Sequence, residues 1–97
     1  MKLKEIYSTE KIIISFEVFP PKDSANKLLN EIGVLKKYNP AFLSLTCGAG
    51  GKENKSFDLL NDIQNLNINV MPHFTCITSS KNSVEEGLQT IEHLGIE

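Results

Sequence analysis

The sequence predicts an α/β domain built on a parallel sheet, and three observations carry that reading. Three apolar, β-branched runs alternate with three amphipathic stripes, giving the order β-α-β-α-β-α. The runs are evenly spaced, since Ile14 to Leu43 is 29 positions and Leu43 to Pro72 is 29 again. That is the length of one βα unit feeding a parallel neighbour. Each run is also apolar on one side and turns polar on the other toward its C-terminal end.

The elements follow in order. Residues 1–10, MKLKEIYSTE, read as a short leading helix or arm. The first strand spans Ile12–Phe19 and stops at Pro20-Pro21, where φ is fixed and two donors are missing. Leu28, Leu29, Ile32 and Leu35 recur at helical spacing, followed by Tyr38 and a stop at Asn39-Pro40. The second strand is Ala41–Thr46, followed by the glycine-rich GAGG. Leu59, Leu60, Ile63 and Leu66 form the next helical stripe, which gives way to the NLNI turn. The third strand is Asn69–Cys76. Its Pro72 conflicts with a central strand, and a bulge is one way to accommodate it. Val84, Leu88, Ile91 and Leu94 form the last stripe, opened by a Ser83-x-x-Glu86 capping box and closed by Gly95. No linker or low-complexity segment divides the chain.

Side chains alternate faces along a strand. Ile12, Ile14, Phe16 and Val18 therefore share one face of the first strand, and Ile13, Ser15, Glu17 and Phe19 the other. In the second, Leu43 and Leu45 oppose Phe42, Ser44 and Thr46. In the third, Val70, Pro72 and Phe74 oppose Met71, His73 and Thr75. With the strands in register, Glu17, Thr46 and His73 gather at one edge and on one side. A sheet covered by helices on both faces is apolar on both, so this pattern favours a barrel with a polar mouth at the carboxyl ends of its strands. A lone glutamate at a strand end is commonly a solvated rim residue, and a lone histidine a hydrogen-bonded core residue. Three polar groups on one face at three successive strand ends point to a functional site.

Composition narrows the classes further. With 97 residues, 40% hydrophobic and 23% charged, the chain has the profile of one small soluble domain. Its net charge of −2 shows no electrostatic footprint for nucleic acid or an anionic membrane. All ten basic residues are lysine, so no guanidinium is present for bidentate grip of carboxylate or phosphate. Apolar runs such as Ile12–Ile14 are far shorter than the ~20 residues of a membrane span, and no apolar segment follows the basic start as in a signal peptide. Cys47 and Cys76 read as reduced thiols of a cytoplasmic protein, on the helix-facing side by parity, with neither disulfide nor metal. GAGGKEN departs from a Walker A loop, because Thr46 stands at the first glycine position and Glu53 follows Lys52. It departs from G-x-G-x-x-G too, Glu53 standing for the third glycine. What remains is a turn whose backbone can approach a ligand closely, or an ordinary tight βα turn.

Three strings, SFEVFPPK (15–22), SLTCGAGG (44–51) and MPHFTC (71–76), in this order and spacing resemble the methylenetetrahydrofolate reductase family. Its members are flavoenzymes on a (β/α)8 barrel, with strings close to SFEFFPPK, SVTYGAGG and PHLTC. The resemblance runs from about Ser15 to the last residue. It implies reduction of 5,10-methylenetetrahydrofolate to 5-methyltetrahydrofolate, with electrons from NAD(P)H passing through FAD. It places Glu17 at the family's catalytic glutamate, a general acid when the imidazolidine ring opens. Thr46 falls at the nicotinamide- and flavin-contacting threonine, and Cys47, Ala49 and His73 at flavin-contacting positions. Cys47 stands where many members have tyrosine, so that aromatic contact is lost and backbone groups would have to serve.

On this reading residues 1–97 are the amino-terminal part of one barrel domain, the first three of its units, incomplete alone. The acidic strand-four motif and most adenine and substrate contacts would lie beyond residue 97. The full-length protein would be a cytoplasmic homo-oligomer acting on a small folate, with no nucleic-acid or membrane partner. The resemblance also gives a reason for a carboxyl inside an apolar run. A free glutamate has a pKa of ~4.3, an apolar setting among Phe16, Val18 and Phe19 raises it, and a general acid must hold its proton near working pH. Two other readings share the pattern, a non-catalytic remnant or interaction module and another folate- or pterin-handling barrel. Flavin absorbance, and its bleaching by nicotinamide, separate the three.

Overall fold

Parallel pairing of three strands organises the chain in a computed structural model that describes residues 2–9, 11–22, 24–47, 54–77 and 80–97. The strands are β1 (Ser15–Val18), β2 (Phe42–Cys47) and β3 (Val70–Phe74), in spatial order β1-β2-β3. The helices are α1 (Leu3–Tyr7), α2 (Ala25–Leu35), α3 (Asn54–Asn65) and α4 (Lys81–His93). Ser15 stands opposite Phe42, Glu17 opposite Ser44, and Thr46 opposite His73. Strand order equal to chain order, with a helix between each pair, is the pattern of the first three units of a (β/α)8 barrel.

All the main helices cover one face of the sheet. Val18, Leu43, Leu45 and Cys47 project into a core shared with Leu28 and Ile32 of α2 and with Leu59, Leu60 and Ile63 of α3. Ile91 and Leu94, from the last stripe, pack against the same cluster. Leaving the opposite face to be lined by strand side chains alone is what a barrel interior requires and a doubly wound sheet does not. At the N-terminal end of that inner face, α1 buries Ile6, and Tyr7 meets the buried Phe42 edge-to-face at 6.2 Å. The predicted leading helix is therefore a plug on the end away from the candidate site. Among the described residues no helix is long and apolar enough to cross a membrane.

The local chemistry explains the boundaries. Ser24 caps α2 by accepting from the Asn26 N–H at 3.2 Å. A 3-10 turn over Lys36–Tyr38 ends at Asn39 in the left-handed region (φ 50°), which asparagine tolerates, and Pro40 blocks further helix. Gly95, at φ 72°, follows the C-terminus of α4 as expected.

Three local expectations need correction. The first strand is shorter than Ile12–Phe19, and Ile12 is 93% exposed, because β2 reaches back only to the Ala41 N–H, which bonds Ile14 O. The last helix begins earlier than a Ser83 cap would allow. Ser80 is the N-cap and its hydroxyl accepts from the Ser83 N–H at 3.1 Å, so the hydroxyl three residues upstream took the role. Pro72 needs no bulge and pairs in register with Leu45. The Leu43 N–H bonds Asn69 O, which assigns the 69, 71 and 73 backbone groups to β2. Pro72 then directs its missing donor away from β2, so the ladder between β2 and β3 loses no bond there.

Candidate active site

Alternation in β1 sends Val18 into the core and Glu17 to the opposite face, at the last turn before Pro20-Pro21. The parallel register brings Thr46 and His73 side by side on that same face, at the carboxyl ends of β2 and β3. Glu17 sits lower in the register, opposite Ser44, and its two methylenes carry the carboxyl up to the other two residues. The Thr46 hydroxyl donates to Glu17 Oε1 at 3.4 Å, and His73 Nδ1 lies 3.4 Å from the same oxygen. Both contacts are long for hydrogen bonds. Glu17 and His73 side chains are 47% and 44% exposed, so the cluster opens to the mouth of the sheet.

The setting of Glu17 differs from the sequence expectation. Phe16 and Val18 were expected to surround it with apolar groups, yet alternation turns both toward the helices and away from the carboxyl. Phe19 is largely exposed. The carboxyl instead meets the Thr46 hydroxyl and the His73 ring.

The remaining candidates fall apart from this cluster in informative ways. Cys47 is buried and its thiol faces Leu45 O on the helix side. A contact from Cys47 to a ligand at the mouth would have to come from its main chain. Ala49 lies outside the described residues. Cys76 lies past the end of β3 and is exposed, its thiol facing Phe74 O at 3.9 Å. Sequence reasoning did not single out Thr75. Its hydroxyl donates to Cys47 O at 3.1 Å and ties the ends of β2 and β3 beside the cluster. Its parity with His73 was the available signal.

Comparison with known proteins bears on this geometry. A family model described as methylenetetrahydrofolate reductase matches residues 2–97. The chain belongs to the methylenetetrahydrofolate reductase family. It is 31% identical over 100 residues to "Methylenetetrahydrofolate reductase (NADH) 1" of Arabidopsis thaliana, covering 99% of this chain and 17% of that protein. It is 32% identical over 90 residues to the "5,10-methylenetetrahydrofolate reductase" of Pectobacterium carotovorum subsp. carotovorum, covering 89% of this chain and 30% of that protein. With the protein of the same name from Buchnera aphidicola subsp. Baizongia pistaciae it shares 38% over 87 residues, or 84% and 28% of the two chains. The chain thus spans less than a third of the length of these methylenetetrahydrofolate reductases.

Proposed function

We propose that the protein carrying this chain reduces 5,10-methylenetetrahydrofolate to 5-methyltetrahydrofolate, with electrons passing from NAD(P)H through FAD. The observation that supports this most is the convergence of Thr46 and His73 on Glu17 Oε1 at the carboxyl ends of three strands. Three βα units supply three of the eight strands of a closed barrel, so the activity is proposed for the assembled barrel, whose other units complete the pocket.

The residues fit a flavin. The mouth presents a hydroxyl at Thr46 and an imidazole at His73, groups that can both donate and accept, as the heteroatom edge of a planar flavin ring requires. Main-chain groups at Cys47 would add to them. Bound there, FAD would take two electrons from the nicotinamide and supply hydride to the one-carbon unit. Glu17 would supply the proton. As a C–N bond of the imidazolidine ring opens, its electron pair goes to the departing nitrogen, which takes the proton and leaves Glu17 a carboxylate. Thr46 donates to that carboxylate and stabilises it.

Glu17→Gln tests this in the intact protein. Glutamine keeps shape and hydrogen bonding but has no acidic proton, so the two half-reactions should separate. Flavin reduction by nicotinamide should survive within about tenfold, while folate reduction falls by the ~10²–10⁴ typical of a lost general acid. Stopped-flow absorbance follows each step. Unimpaired folate reduction, or a joint fall through lost flavin, would make Glu17 structural and the reading wrong.

A further inference from the structure

We propose that His73 is a positioning residue for Glu17, its Nδ1–H donating to Oε1 and, with the Thr46 hydroxyl, confining the acidic proton of Glu17 to Oε2. This rests on the proposed role of Glu17 as the proton donor. A protonated carboxyl has one carbonyl oxygen, which accepts, and one hydroxyl, which donates. Thr46 Oγ1 and His73 Nδ1 both face Oε1, each at 3.4 Å. The carbonyl oxygen of a carboxylic acid is its better acceptor, so two donors aimed at Oε1 favour the hydrogen on Oε2. Oε1 is therefore the carbonyl oxygen, and the transferable proton sits on Oε2, which no described side chain engages.

The same contact sets the histidine tautomer. A lone pair on Nδ1 would point at the lone pairs of Oε1, whereas Nδ1–H completes a hydrogen bond. The neutral ring then carries its lone pair on Nε2, away from the carboxyl. Pairing of the His73 backbone with Thr46 in the ladder holds the ring beside the threonine, so both donors arrive from one rigid edge. Once Glu17 has released its proton, the same two donors remain on the carboxylate and need no rearrangement.

Nitrogen-15 shifts of the His73 ring in the intact protein, recorded where the ring is neutral, test the tautomer without involving flavin or folate. A proton on Nδ1 is expected, reverting in Glu17→Ala to the mixture of a free imidazole. A native ring with a bare Nδ1 would overturn the proposal. A kinetic test uses His73→Asn, whose amide nitrogen falls where Nδ1 was, and His73→Gln, whose amide nitrogen falls where Nε2 was. Per bound flavin, His73→Asn should reduce folate about tenfold faster than His73→Gln. Equal rates, or the reverse order, would overturn it. If neither variant folds, the nitrogen shifts decide alone. An intact protein that binds no flavin would defeat the proposed function yet leave the tautomer result standing, so the two failures are distinguishable.

Discussion

At the scale of residues, the cluster at the mouth depends on small margins of reach. Glu17 spans two ladder positions to meet Thr46 and His73, a distance aspartate could not cover. Thr46→Val keeps the β-branched shape and removes one of the two donors on Oε1. If Thr46 stabilises the carboxylate, folate reduction should fall about tenfold, the value of one hydrogen bond to a charged group at ~1.5 kcal/mol. Core packing near the cluster should remain intact, because the Thr46 methyl is preserved. A single-turnover measurement that finds folate reduction unchanged would remove Thr46 from the acid's support. On the opposite side of β2, Leu43 is 0% exposed and sits in the middle of the core. Leu43→Ala should cost ~2–5 kcal/mol by urea unfolding, the range for a buried leucine leaving a cavity.

Elements take their limits from hydrogen bonds and close contacts that composition only hints at. Two serines, Ser80 and Ser83, compete for the start of α4, and the structure gives the capping bond to Ser80. Ser80→Ala should therefore cost ~1 kcal/mol, and Ser83→Ala distinctly less. Equal costs in thermal unfolding would move the cap. Further along α4, Gly87 is buried where the helix meets β3. A Cβ there would come within 2.5 Å of the Phe74 ring, which stacks on Phe57 with centroids 6.4 Å apart. Alanine usually improves a helix by ~1 kcal/mol over glycine. Here overpacking of ~1–3 kcal/mol should outweigh that gain, so Gly87→Ala is expected to destabilise. A stabilised variant would show that the ring moves aside freely.

For the whole molecule, the decisive feature is a sheet whose two outer strands have open edges among the described residues. β1 and β3 each present unpaired backbone groups on one side, a ready template for another strand. Ile12 and Ile14 are exposed beside β1 as well. The 97-residue chain on its own should therefore associate in a concentration-dependent way or unfold at low urea, and sedimentation velocity across a concentration series measures this directly. A monomer with one cooperative transition and a stability of ~5–15 kcal/mol would show that three units suffice.

Periodicity alone determined the alternation of strands and helices, the parallel pairing and the face on which Glu17, Thr46 and His73 meet. Those features follow from local geometry: a period of two in strands, 3.6 in helices, and repeats of one βα length. Tertiary structure decided the rest. Where β1 begins depends on how far β2 reaches back beside it, and the fit of Pro72 in the ladder with β2 on which side of β3 its nitrogen faces. The start of α4 turned on a competition between two serines equally suited to cap it. The company of Glu17 was misread for the same reason: neighbours in the chain are apolar, but the pleat turns them to the far side of the sheet. The residues that touch its carboxyl come from two other strands, 29 and 56 positions away. Pairing of the three strands is what brought them within 3.4 Å.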